Sequence, residues 1–320
     1  MTRNNPFLLV FGLLALVSNV ELCLAQSKTS GSQLRGSHDK LQIAITFDDL
    51  PAHGTLPPGE TRTGVVSKVI AALKQAHVPP TYGFVNGVLL ERQPADESVL
   101  VMWRDAGNLL GNHTWSHPNL NQLALTDFET DVTRNESVLK KLTSDKNWHW
   151  FRFPFLAQGD TPEKQAGIRA FLLDRGYKIG GTTMSFADYL YNEPYARCSA
   201  KGDTKSIALL ETTFMAAADE SITYYRTISH DLYGRDIPYV LLMHIGAFDA
   251  RMLPRLLDLY RAKGFEFVEL EEAEGDDFYK QDTDLHLPPG PDNLEGVMWK
   301  RGLNPPQHAL PQPHFDDLCR

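Results

Sequence analysis

Residues 43–51 read Ile43-Ala44-Ile45-Thr46-Phe47-Asp48-Asp49-Leu50-Pro51, and Asn112-His113-Thr114-Trp115-Ser116-His117-Pro118 follows about sixty residues later. An apolar strand thus delivers two adjacent carboxylates, and two imidazoles spaced i, i+4 add nitrogen donors. Three metal ligands and a spare base are the donor set of a metal-dependent hydrolase. Successive side chains on a strand point to opposite sides, so Asp48 and Asp49 can share a site only where the strand breaks. Leu50-Pro51 is the expected break.

Outward from this strand, strand-like and helix-like segments alternate. Apolar runs predict strands over 41–47, 82–85, 108–111, 149–153, 177–184, 239–244 and 265–270. Val65, Val66, Val69, Ile70 and Leu73 fall at helical spacing, which predicts a helix over 61–76. Further helices are expected over 97–106, from 126, over 161–176 and over 249–262. Thr126-Asp127-Phe128-Glu129 has capping-box spacing, and Thr161-Pro162 pairs a cap with proline at the first helical position. The alternation implies a (β/α) barrel or an open parallel sheet. Asp48, Asp49, His113, His117, Arg152, Asp188 and His244 all follow predicted strands, the position at which barrel enzymes collect their functional groups. The barrel is therefore favoured. No GxGxxG or Walker-type loop is present.

Two parts break the alternation. Residues 189–203 are aromatic, carry Cys198 and precede a long helical stretch over 204–233. The tail from 271 holds seven prolines, among them Pro288, Pro289, Pro305 and Pro306, and reads as an extended wrap packing on the barrel.

The first 25 residues have the layout of a secretory signal: Arg3, an apolar run over 6–17, then Ala25. That run is too short to span a bilayer, so cleavage near Ala25 and no stable membrane insertion are expected. Residues 26–40 are Gly/Ser-rich and read as a flexible leader to a catalytic domain over 41–270. The chain is expected to be exported, to the periplasm or beyond. Its net charge of −9 holds no basic concentration able to track phosphates, which argues against nucleic acid as a partner. Of three cysteines, Cys23 would leave with the signal. Cys198 and Cys319 remain, and an even pair in an oxidising compartment leaves a disulfide and two free thiols about equally open.

Five ordered motifs now carry a resemblance. Thr46-Phe47-Asp48-Asp49-x-Pro51, His113-x-x-x-His117, Arg152-x-Pro154-Phe155, Asp188-Tyr189 and Leu242-Met243-His244 resemble the polysaccharide deacetylases, the NodB-homology group known as carbohydrate esterase family four. The resemblance covers roughly 41–270 and implies a distorted (β/α) barrel of seven or eight strands. It implies that Asp49, His113 and His117 bind one divalent metal, zinc first, with cobalt, manganese or nickel open. Asp48 would be the base for metal-activated water and His244 the acid for the leaving group, while Arg152 and Asp188 orient and tune them. Tyr189, Leu242, Pro154 and Phe155 would line the substrate groove.

Departures accompany the likeness. Leu50 and Tyr189 stand where the family usually has glycine and tryptophan, and Ser185 where many relatives are acidic. His53 is read as a loop residue first and a substrate contact second. The implied activity is removal of acetyl groups from an acetylated carbohydrate, in first place N-acetyl groups of amino sugars. An O-acetyl esterase on hemicellulose and a non-catalytic carbohydrate-binding protein are the alternatives, and oligomeric state is open.

Overall fold

The computed structural model describes residues 40–143, 148–290, 293–310 and 314–320. The expected signal and nearly all of the leader lie outside these residues. Among the described residues, seven strands form one sheet: β1 (Gln42–Leu50), β2 (Tyr82–Val85), β3 (Leu109–Asn112), β4 (Trp150–Phe151), β5 (Lys178–Ile179), β6 (Tyr239–His244) and β7 (Glu266–Phe267). Their order is β5-β4-β3-β2-β1-β6, with β7 beside the start of β1. Every pairing is parallel. Parallel strands are covered on both faces and read as unbroken apolar runs. Ile43, Ala44, Ile45 and Phe47 of β1, and Tyr239 through Met243 of β6, are accordingly buried.

The sheet curls into a half-barrel. Beyond β5 the chain runs across to β6, where Met184 bridges Leu241 in parallel and its carbonyl accepts from the Leu242 N–H at 3.0 Å. Helices pack outside. The Arg62–Gln75 helix starts where Thr61 accepts from the Gly64 N–H at 3.0 Å and buries Val65, Val66, Val69 and Leu73. Pro162–Asp174 is likewise capped by Thr161. Thr204–Tyr233 is capped by Asp203 and stopped by Gly234 in the left-handed region, which glycine enters without steric cost.

Several expectations need correction. The Thr126 capping box is not used: the helix is Leu125–Leu142, its N-cap is Ala124, and no side chain caps it. Its apolar face does follow the expected pattern, with Phe128, Val132, Leu139 and Leu142 buried. The predicted runs over 149–153 and 265–270 pair for only two residues each, and 177–184 for two residues plus the isolated Met184–Leu241 bridge. A strand is defined by its neighbour, and these runs meet one only briefly. Residues 189–203 contain a helix, Asn192–Lys201. The tail is not purely extended either, since Leu294–Lys300 is helical and buries Leu294, Val297 and Met298.

The end of the chain returns to this helix. Cys198 and Cys319 are joined by a disulfide with their Cα atoms 5.1 Å apart and a sequence separation of 121 residues. In the chain-entropy picture a closed loop of that length is worth about 4–5 kcal/mol before native strain is subtracted. No helix among the described residues is long and apolar enough to cross a membrane.

Candidate active site

The two carboxylates are brought together by a bulge. Phe47 pairs with Gly83 and Leu50 with Val85, so a three-residue step on β1 faces a two-residue step on β2. The extra residue breaks the alternation, and Asp49 takes it up at φ 63°. The break therefore lies at Asp49, one residue before the position the sequence suggested. Leu50 stays within the strand, fully buried, over the bare backbone of Gly83, where a Cβ would come within 2.4 Å of a Leu50 methyl. The positive φ thus falls on Asp49, and leucine at 50 removes no freedom the turn needs.

His113 and His117 follow β3, and their i, i+4 spacing is not helical. Thr114 and His117 adopt φ 67° and 58°, giving a tight loop held from below by buried Asn112. Asn112 donates to the Val132 carbonyl and to the Tyr177 hydroxyl, and accepts from the Thr114 N–H and from Asn135. The His113 Nδ1 lies 2.7 Å from the Arg152 carbonyl. A carbonyl only accepts, so Nδ1 carries the hydrogen and Nε2 presents a lone pair. Burial drives the His113 pKa down to about 3, against the pull of Asp49, and the ring is neutral at ordinary pH. The Nε2 atoms of His113 and His117 lie 3.6 and 3.5 Å from Asp49 Oδ1. That oxygen is buried and has no hydrogen-bond partner, and the three donor atoms lie within 4.8 Å of one another. An orphaned carboxylate oxygen facing two imidazole nitrogens fits a divalent cation, which would replace the missing partners.

Asp48 meets Arg152, fully buried like itself. The guanidinium donates to Asp48 Oδ1 at 3.2 Å, to Thr46 Oγ1, and to the carbonyls of Gly180 and Gly181, and it lies over the Phe84 ring at 4.6 Å. Burial raises the Asp48 pKa, and Arg152 offsets this only in part.

His244 ends β6 directly opposite Asp48 in register. Asp188 receives it twice: Oδ2 accepts from the His244 N–H at 2.7 Å and Oδ1 stands 3.0 Å from Nδ1. Burial alone would lower the pKa of this imidazole, but the Asp188 charge and hydrogen bond outweigh burial and raise it to about 10. Behind them lies Asp249, completely buried, accepting from Asn192 at 2.7 Å. Burial and the nearby Asp188 charge push its carboxyl well above the usual range. Asp249 was not foreseen, because one acid inside an amphipathic helix pattern carries no local mark of a functional neighbourhood.

His53 belongs to the cluster rather than to a peripheral loop. Its Nε2 is 3.8 Å from Asp49 Oδ2 and its ring centre 4.8 Å from that of His244. Asp49, His53 and His244 form a second group of donor atoms within 4.8 Å of one another. Its place four residues after Asp49 was the available signal. Around the rim, Phe155 is 64% exposed with its ring edge-on to His117 at 4.6 Å, and Tyr189 is 41% exposed. Pro154 and Leu242 are buried, so the accessible wall is aromatic.

Comparison with known proteins bears on this geometry. The polysaccharide deacetylase family model matches residues 35–171. A chitin deacetylase from Colletotrichum lindemuthianum is 25% identical over 237 residues, covering 73% of this chain and 79% of that protein. A peptidoglycan-N-acetylglucosamine deacetylase from Bacillus cereus is 30% identical over 107 residues, 33% of this chain and 34% of its own length. Among solved structures, a family 4 carbohydrate esterase pseudoenzyme from Bacillus anthracis superposes with a TM-score of 0.50 at 16% identity, over 74% of this chain and 66% of that one. That likeness is one of fold.

Proposed function

Because residues 35–171 match the polysaccharide deacetylases, we propose that this chain is a metal-dependent hydrolase removing acetyl groups from an acetylated carbohydrate, N-acetyl groups of amino sugars in first place. The observation that carries the reading is the partnerless Asp49 Oδ1 facing His113 and His117, flanked by the Asp48 carboxylate and the His244 imidazole, both with raised proton affinity. Asp49, His113 and His117 would hold one divalent ion, zinc as the first candidate. Such an ion, when bound, supplies Lewis acidity that polarises a carbonyl and lowers the pKa of water from about 15.7 toward about 7.

The chain's own groups move the protons. Asp48 is the base: burial makes it a stronger proton acceptor than an exposed carboxylate, and Arg152 fixes its orientation. His244 is the acid. Held as an imidazolium by Asp188 through Nδ1, it delivers a proton from Nε2 to the departing amine. Asp188 and Arg152 act through these two groups and are positioning residues. Phe155 and Tyr189 supply apolar faces for a sugar ring. Export is supported by the Cys198–Cys319 bond, since disulfides persist in oxidising compartments.

The test is acetate release from chitooligosaccharides, peptidoglycan fragments and acetylated xylan, by the metal-loaded protein with and without chelator. The expected result is release that chelator abolishes. Metal-loaded protein inert toward all three would overturn the proposal and favour a carbohydrate-binding role.

A further inference from the structure

We infer that the C-terminal tail completes a second subsite, which takes the glycan chain flanking the sugar whose acetyl group is removed. The nature of the ligand rests on the deacetylase reading above. A cleft of about 660 Å³ lies beside the candidate centre, between His53 and Tyr189 on one side, Glu193 and Arg197 of the Asn192–Lys201 helix, and Phe315 and Asp316 of the tail. This volume falls within the range of about 300–1,000 Å³ typical of ligand clefts.

Continuity with the centre identifies the occupant. His53 and Tyr189 also face His244, with ring centres 4.8 and 5.3 Å from its imidazole. A polymer with its reacting group at His244 leaves in two directions, and one of them passes Tyr189 into this cleft. Exposed Phe155, against His117, lies beside the other imidazole group of the centre.

The lining suits a neutral or amine-bearing sugar. Tyr189 offers an aromatic face for sugar C–H groups, and Glu193 and Asp316 offer carboxylates to hydroxyl or ammonium donors. Arg197 is engaged elsewhere. Its Nε donates to the Leu318 carbonyl at 3.1 Å and its Nη2 to the Phe315 carbonyl at 2.9 Å, so it holds the tail and offers little to an anionic polymer.

The tail is built in firmly. The disulfide secures it, Phe315 packs on Tyr191 with ring centres 5.0 Å apart, and Lys201 bonds the terminal carbonyl of Arg320. Opposite, the Thr55 N–H donates to Glu193 at 2.7 Å and fastens the His53 loop to the same helix. The tail lies outside residues 35–171, the segment that matches the family.

The experiment compares the full chain with Phe315→Ala, Asp316→Ala and Cys319→Ser. Kinetics are measured on 4-nitrophenyl acetate and on chitooligosaccharides from dimer to hexamer, and hexamer binding is titrated calorimetrically in an Asp48→Asn background. Each tail variant should lower the ratio of hexamer to ester kcat/KM about tenfold, through KM, and raise the hexamer Kd by a similar factor. An unchanged length dependence and an unchanged Kd in both Phe315→Ala and Asp316→Ala would overturn the subsite, as would no hexamer binding with the tail intact. If no carbohydrate is deacetylated while the tail variants still weaken hexamer binding, the deacetylase reading fails and the subsite stands.

Discussion

The ends of β3 and β6 each present an imidazole to the same cleft, buried for His113 and partly buried for His244, and the two have opposite proton affinities. His113 is held down to about 3 and His244 raised to about 10. Burial lowers both, so burial does not separate them. The partner of Nδ1 does. At the end of β3 it is the Arg152 carbonyl, a dipole, and at the end of β6 it is the Asp188 carboxylate, a full charge. A neutral ring with a free Nε2 can ligate a metal, whereas a charged ring can only donate a proton. One residue type thus serves two chemistries through a neighbour contributed by a different strand.

The largest expected effect is that of His113→Ala, which removes one of three donors facing the cleft. Metal content of the dialysed protein should fall by an order of magnitude or more, because structural and catalytic zinc sites use at least three protein ligands. Full occupancy would break the assignment of the neutral ring to a ligand role. Next comes Asp188→Asn. Without the carboxylate the His244 imidazole should titrate far below 10, visible by NMR. Amide hydrolysis at neutral pH should drop roughly 10²-fold or more, with activated acetyl esters, whose leaving groups need no proton, much less affected. Equal losses on amide and ester would show that His244 is not the acid.

The pair also predicts opposing pH limbs of stability in the metal-free protein. For His113 the folded-state pKa is depressed, so its contribution is present above the ordinary histidine pKa near 6.5 and is lost as pH falls from there toward about 3. For His244 the folded-state pKa is raised, so its contribution is full below about 6.5 and is lost as pH rises toward about 10. Thermal melts should therefore decline on both sides of mildly acidic pH, and His244→Asn should flatten the alkaline limb alone. The smallest effect expected is that of Asp249→Asn. If this buried carboxyl is protonated, the amide preserves its charge state and the His244 titration should move by less than about one pH unit. A larger downward move would mean that Asp249 carries a charge and helps to hold His244 protonated.

Legibility differed sharply between elements. Residues 82–85 and 239–244 were readable as strands and roughly 204–233 as a long helix, because apolar runs and composition mark them locally and the structure keeps them as single elements. The runs over 149–153 and 177–184 looked like strands of equal standing, but the first pairs over two residues and the second over two plus the isolated Met184 bridge, since pairing length is set by how the neighbouring strand bends away. Thr126 failed as a cap because spacing alone does not say on which turn a helix begins. The same holds within the site. Asp48, Asp49, His113, His117, Arg152, Asp188 and His244 all lie around one cleft, and His53, read as a loop residue before a substrate contact, joins them, yet the bulge that aims Asp49 and the buried Asp249 were not visible.

Sequence by itself determined which donors this chain carries and in what order along parallel strands they arrive, because hydrophobic periodicity and strand-end position are local properties. Tertiary structure decided what each donor became. Whether Nδ1 meets a carbonyl or a carboxylate, whether Asp49 turns inward, and whether a tail 121 residues beyond Cys198 returns to the cleft depend on register and crossover. Those are fixed only when strands from distant parts of the chain lie side by side in one low-dielectric interior, where a single neighbouring charge outweighs the intrinsic tendency of the side chain.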